Sequence, residues 1–126
     1  MASAYDFPDV ERVLVALLEA NVVGAGHAGS EIPVDVEMRL PFVRVMRVDG
    51  PSDQLNDYAR VVVDVFAATD AEVHPLAGRV REYVTAEPLR HGRQVLDRVL
   101  CERGPSRPGV PHSPMIAQRT ATYRVV

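Results

Sequence analysis

Residues 40–68 read LPFVRVMRVDGPSDQLNDYARVVVDVFAA, and this stretch decides the fold. It describes two strands joined by a polar loop. Phe42 to Val48 is β-branched and apolar, with Arg44 and Arg47 interspersed. Tyr58 to Ala67 alternates more strictly. Ala59, Val61, Val63, Val65 and Ala67 fall on one side, and Arg60, Val62, Asp64 and Phe66 on the other. A period of two is the mark of a strand with one buried face. Asp49, Gly50, Pro51, Ser52 and Asp53 interrupt the pattern, and Gln54 and Asp57 follow. Residues of these types favour turns over helix or strand. The loop from Asp49 to Asp57 is longer than a tight hairpin turn, and loops held on a rigid sheet tend to carry function.

Upstream of this pair, Val34 to Leu40 alternates apolar with charged residues and predicts a third strand, solvated on one face and ended by Pro41. Residues 24–33 are rich in glycine and predict a loop containing His27. Asp6 to Asn21 predicts a helix. Val10, Val13, Leu14, Leu17 and Leu18 follow amphipathic spacing, Pro8 suits the first turn, and Asn21, Gly24 and Gly26 supply the stop.

Downstream, Thr69-Asp70-Ala71-Glu72 matches a capping box. The stripe Val73, Leu76, Ala77, Val80, Tyr83 and Val84 predicts a second helix, ending before Pro88. Pro75 permits either a start at Thr69 with a bend or a start at His74, and the capping box favours the earlier start. Gly92 to Arg103 predicts a strand, centred on Gln94 to Glu102. Gly104 to Pro114, broken by proline and glycine, predicts an extended arm, and Ile116 to Val126 a final strand.

The predicted order is α-β-β-β-α-β-β. Short connections between strands favour antiparallel pairing. The expected class is α+β: a mostly antiparallel sheet of about five strands with two helices on one face, in a single domain spanning 1–126. Val10, Val13, Leu14 and Leu17 should pack on the sheet with Val80 and Val84.

Composition excludes little else. The 126 residues contain 47% apolar and 25% charged residues, an ordinary globular balance. No run of about 18 apolar residues predicts a membrane span, and the N-terminus predicts no secretion signal. One cysteine, Cys101, excludes an intramolecular disulfide. All 14 basic residues are arginine, as the codons of a GC-rich genome would give. Charge is unevenly spread: residues 1–70 carry a net −7 and residues 71–126 a net +4. Such asymmetry can steer association between copies.

Catalytic signatures are absent from the sequence. His27, His74, His91 and His112 lack metal-ligand spacing, and Cys101 has no cysteine partner. No phosphate-binding glycine motif follows a strand. Asp35 and Glu37 share one face of the predicted third strand, as solvating acids commonly do. Asp57, Arg60 and Asp64 are close enough in sequence to form a charge pair beside the loop. The arginines from Arg79 to Arg107 lack the aromatic interleaving of a single-strand binder, and an acidic chain is a poor independent DNA binder. No catalytic residue, metal or cofactor is expected. The loop and the arm, which have no regular structure of their own, supply the candidate contact residues. These are Asp49, Gly50, Pro51, Ser52, Asp53, Gln54, Asp57 and Arg60 from the first region, and Arg103, Arg107, Pro108 and His112 from the second.

Four blocks carry a resemblance to a known family: FPDVERVLVALLEANV (7–22), PFVRVMRVDGPSDQLNDYARVVVDVFA (41–67), TDAEVHPLAGRVREYV (69–84) and QRTATYRVV (118–126). In these blocks and their order the chain resembles the tail terminator, or tail completion, proteins of long-tailed bacteriophages, especially those of actinobacterial hosts. The match is a pattern of positions across nearly the whole chain and contains no catalytic signature.

The resemblance implies an α+β sheet domain that is a non-catalytic virion protein. It implies a homo-oligomeric ring, commonly a hexamer, on the head-proximal end of the tail tube. The ring would end tube polymerisation and provide the docking surface for the neck. Implied partners are the major tail tube protein and the head-tail connector or stopper proteins, with genomic DNA passing through the lumen without specific binding and no membrane involved. A head-tail adaptor or stopper is the alternative in the same particle. A small ferredoxin-like enzyme is a third reading, whose mark would be a pocket of convergent polar groups.

Overall fold

The computed structural model describes residues 9–48, 59–86, 88–96 and 98–125. The expected loop at 49–57, the residues before Asp9, Tyr58 and Val126 lie outside the described residues. In chain order the elements are helix α1 (Val10–Leu18), continued by a π turn (Glu19–Val23), strand β1 (Ala28–Gly29), a 3-10 turn (Val36–Met38), β2 (Phe42–Val48), β3 (Ala59–Ala67), helix α2 (Asp70–Ala86), β4 (Leu89–His91), β5 (Gln94–Leu96), β6 (Val99–Ser106) and β7 (Ala117–Val125).

The strand pair expected from residues 40–68 forms the middle of the sheet. β3 pairs antiparallel with β2, from Phe42 opposite Phe66 to Val48 opposite Arg60. On its other side β3 pairs antiparallel with β7, from Ala59 opposite Val125 to Ala67 opposite Ala117. β6 lies beyond β7, and β1 joins β2 in parallel, giving the order β1-β2-β3-β7-β6. β4 and β5 form a separate hairpin. The fold is the expected α+β class, a mostly antiparallel five-stranded sheet with two helices packed against it.

Both helices lie on one face. Val43, Val45, Val61, Val63, Val65, Ala121, Tyr123 and Val125 form that face of the sheet, and α1 covers it with Val10, Val13, Leu14, Leu17 and Leu18. α2 adds Val73, Leu76, Ala77, Val80 and Val84. Each valine or leucine of this set, fully buried, contributes about 1.5–3 kcal/mol relative to exposure.

The helix ends have identifiable stops. Asp9 caps α1 by accepting the Arg12 N–H at 3.2 Å. At the far end the Asn21 side chain donates to Leu17 O at 2.9 Å, and Arg79 donates to Val22 O at 3.2 Å, so carbonyls without a helical partner are satisfied. The helical turns run past Asn21 to Val23, and Gly24, at φ +96°, ends them. α2 begins at the cap that the box predicts: Thr69 Oγ1 accepts the Glu72 N–H at 3.3 Å, while the Glu72 carboxylate accepts the Thr69 hydroxyl at 3.1 Å rather than its backbone N–H. The helix passes through Pro75, and the Ala71 carbonyl that loses its donor belongs to an exposed residue open to solvent.

Three expectations are corrected. Val34 to Leu40 is not a strand. Pro33 O accepts the Val36 N–H at 3.1 Å and Asp35 O accepts the Met38 N–H at 2.8 Å, closing a 3-10 turn. Arg39 reaches back four residues to Asp35 at 2.9 Å, which an extended chain forbids. Of the four alternating apolar residues only Val36 is buried, and Leu40 is half-buried. Val34 is 104% and Met38 86% exposed. Asp35 and Glu37 therefore share no strand face.

Residues 24–33, expected as loop alone, contribute β1, with Val43 N–H donating to His27 O at 2.9 Å. The His27 ring anchors this segment by donating from Nδ1 to Pro41 O at 2.7 Å and Arg39 O at 3.0 Å.

The strand expected from Gly92 to Arg103 is divided. Gly92, at φ +60°, turns the chain between β4 and β5, and β6 starts afresh at Val99. β6 then runs through Gly104 and Pro105 to Ser106, so the arm starts later than Gly104.

The two sheet edges are distinctive. β1 pairs with only the first part of β2, at Val43 and Arg44, and farther along Glu11 Oε2 accepts the Arg47 N–H at 2.6 Å. β6, the other edge, shifts register against β7 between Cys101 and Arg103 and again between Arg103 and Ser106, and it contains Pro105.

Candidate functional site

The face of the sheet turned away from the helices holds the polar chemistry. Register places its side chains in rows across β2, β3 and β7: Phe42, Phe66 and Gln118; Arg44, Asp64 and Thr120; Met46, Val62 and Thr122; Val48, Arg60 and Arg124. The first row is covered. Phe42, Phe66 and Val36 form a small second core, with Ile32, Leu40 and Ile116 against it. The 3-10 segment and the end of the arm thus close one end of this face. The third and fourth rows are half-buried.

Asp64 is the centre of the second row. It is 2% exposed, in the middle of the central strand. Its Oδ2 accepts Arg44 Nε at 3.0 Å, and Arg44 Nη2 closes on the same oxygen. Its Oδ1 accepts Thr120 Oγ1 at 2.7 Å and Gln118 Nε2 at 3.0 Å. A buried carboxylate is tolerable only with such pairing. Charge-assisted bonds from three side chains on two neighbouring strands fix the register on this face.

The arm is tied to this network. Gln118 Oε1 accepts the His112 N–H at 2.9 Å, and the His112 ring meets Phe66 edge-on, with centroids 6.0 Å apart. Ser113 Oγ accepts the Met115 N–H at 3.1 Å. At the start of the arm, Arg107 reaches Asp70 at 3.2 Å, and Arg119 holds the same carboxylate at 3.1 Å. Asp70 is the first residue of α2, where negative charge suits the helix dipole.

The fourth row carries a second charged group. Arg60 Nε donates to Glu102 Oε1 at 2.7 Å, and Arg124 Nε lies 3.9 Å from Glu102 Oε2. The hydrogen bond from Arg60 holds the Glu102 carboxyl below its ordinary value, with the charges of Arg60 and Arg124 acting in the same direction and burial opposing.

The candidate contact residues do not gather into one site. Asp49, Gly50, Pro51, Ser52, Asp53, Gln54 and Asp57 lie outside the described residues. Arg60 belongs to the fourth row, six residues along β3 from Phe66, which is about 20 Å in a strand. Arg103 is exposed on the β6 edge, opposite Thr122 at the bulge. Arg107, Pro108 and His112 line the arm. Arg60 and Asp64, grouped by sequence proximity, pair with different described residues, Glu102 and Arg44.

Sequence reasoning missed Asp64 as a buried centre, together with Arg44, Gln118 and Thr120. One signal was present: Asp64 interrupts an otherwise apolar run between Val63 and Val65, on a side it shares with Phe66.

The described residues contain no group of three His, Cys, Asp or Glu side chains arranged to hold a metal ion. No helix among them is long and apolar enough to cross a membrane. No protein-family model matches the chain, and no curated protein matches it in sequence.

Proposed function

We propose that the chain is a non-catalytic virion protein that forms a ring on the head-proximal end of a phage tail tube. There it ends tube polymerisation and offers a docking surface to the neck. The observation that carries this reading is the one-sided sheet. The sequence blocks quoted above imply an α+β domain of this type, and the chain has that fold, with helices on one face and ordered polar rows on the other. The half-buried rows of that face, Met46, Val62 and Thr122 beside Val48, Arg60 and Arg124, join apolar and arginine side chains in fixed register, a composition suited to contact with another protein surface. A cap must match the symmetry of the ring it covers, so the resemblance implies six copies.

The test is genetic and structural. Deleting the reading frame from the phage should give tails of uncontrolled length that do not join heads. Tails of normal length that fail to join heads would move the assignment to a head-tail adaptor or stopper. Infectious particles with normal tails would refute both. In the intact particle, a symmetry-free reconstruction should place a ring of this chain on the last tube ring, with equal copy number.

A further inference from the structure

The β4–β5 hairpin is a basic finger. Its root residues, Leu89 and Leu96, are buried in the helix-side core. Around the turn at Gly92, Arg90, His91 and Arg93 are all exposed. None of these three side chains makes a hydrogen bond or ion pair among the described residues.

The outward face of α1 has the opposite charge. Asp9, Glu11 and Glu19 line a shallow cleft of about 450 Å³ whose wall also includes Arg12 and Ala16. Each carboxylate is held in place by one backbone N–H: Arg12 N at 3.2 Å on Asp9, Arg47 N at 2.6 Å on Glu11 and Gly26 N at 2.8 Å on Glu19. No guanidinium pairs with any of the three among the described residues. α1 turns its apolar stripe toward the core in which the hairpin is rooted and turns the cleft away from it. No described bond joins finger and cleft within one copy.

We propose that the finger of one copy docks on the outward face of α1 of a second copy, setting Arg90 and Arg93 against Asp9, Glu11 and Glu19. The complementary partner of each surface is thus present in the same chain, which favours a second copy over an unrelated anion. The contact joins unlike surfaces, so it is heterologous. It propagates head to tail and closes into a ring when the rotation allows. This inference rests on the ring reading above and names the surfaces that would make the ring.

The test uses the full chain with Cys101→Ser. Arg93→Cys and Ala16→Cys proteins are mixed at low salt under mild oxidation. Mixed disulfide dimers should form, and should be lost at high salt as screening weakens the encounter. Cross-linking no faster than with a Val110→Cys control overturns the proposal. Independently, Arg90→Glu with Arg93→Glu should weaken self-association about tenfold or more, and mixing with a Glu11→Arg, Glu19→Arg chain should restore it. Circular dichroism of that second chain checks that the bonds lost at Arg47 and Gly26 leave the fold intact, and the cysteine pair does not depend on them. A particle ring without the Arg93–Ala16 cross-link refutes this contact and leaves the ring reading standing. Cross-linking by a chain whose deletion leaves tails normal refutes the ring's assigned role instead.

Discussion

Gln118 donates its side-chain amide to Asp64 Oδ1 at 3.0 Å, and its own carbonyl oxygen accepts the His112 N–H at 2.9 Å. A buried carboxylate in the central strand therefore sets the position of an exposed arm. The amide conveys this because one end donates and the other accepts, so its orientation is dictated from the buried side.

Removing the buried carboxylate should be costly. Asp64→Ala strands the Arg44 guanidinium on a half-buried face and leaves Gln118 and Thr120 without their acceptor. The expected loss is about 3–5 kcal/mol, read as a lower midpoint in chemical denaturation. Arg44→Met combined with Asp64→Leu should recover the part due to the stranded guanidinium, because apolar replacement of both partners leaves no orphan charge, while Gln118 and Thr120 still lack their acceptor. A double variant as unstable as Asp64→Ala would contradict this account.

Gln118→Leu separates the arm from the network while keeping side-chain bulk. The His112 amide should then exchange with solvent faster, and global stability should fall by about 1–3 kcal/mol for the unmet polar groups. Hydrogen exchange followed by mass spectrometry on the 107–116 peptide reads the first effect directly. Unchanged protection of that peptide would mean that Phe66 and Ile116 hold the arm without the amide.

Leu14, on α1, is 1% exposed in the main core. Leu14→Asp buries an uncompensated charge and should exceed about 4 kcal/mol in cost, enough to remove soluble expression. Leu14→Met should be tolerated with a loss under about 1.5 kcal/mol. Thermal melts of the two proteins decide the point.

Alkaline pH should destabilise the fold through Tyr123. The side chain is buried, and burial pushes its phenol well above the ordinary value of 10.0, with Cys101 acting in the same direction and Arg81 opposing. The folded form holds the proton more tightly than the unfolded chain does. Stability from this group is thus full below pH 10 and is lost as pH rises beyond it. Phenolate absorbance should report Tyr123 only as the protein unfolds, and Tyr123→Phe should flatten the alkaline slope of stability.

The sheet was legible where alternation coincided with real burial. Val61, Val63 and Val65 face the helices as their spacing predicts, and Gln118 and Thr120 face away as theirs predicts. The same pattern misled at Val34, Val36 and Met38, because alternation says nothing about whether a surface exists to receive the apolar residues. There, turn hydrogen bonds after Pro33 and the Asp35–Arg39 pair prevailed. At Gly92 the strand pattern of Val95, Leu96 and Val99 masks the turn before it. The Asp64 network was invisible for another reason. Its members lie on three strands, and which acid meets which arginine is decided by register, a property of the assembled sheet. Loop and arm stand out in the sequence as contact regions because neither fits a regular element. That argument finds irregular backbone and misses chemistry placed on strands or on a hairpin tip such as Arg90 and Arg93.

The carboxylate of Glu11 on the β2 edge, and the bulges and Pro105 on the β6 edge, have a consequence for life at high copy number. An unguarded sheet edge invites another chain to add a strand, and successive additions build fibres without end. Here one edge ends on a side-chain oxygen and the other is bent and lacks a donor at Pro105. Strand addition is disfavoured at both margins, which leaves association to side chains, whose geometry permits finite, closed assemblies. Edges guarded in this way should keep concentrated protein from templating its own aggregation.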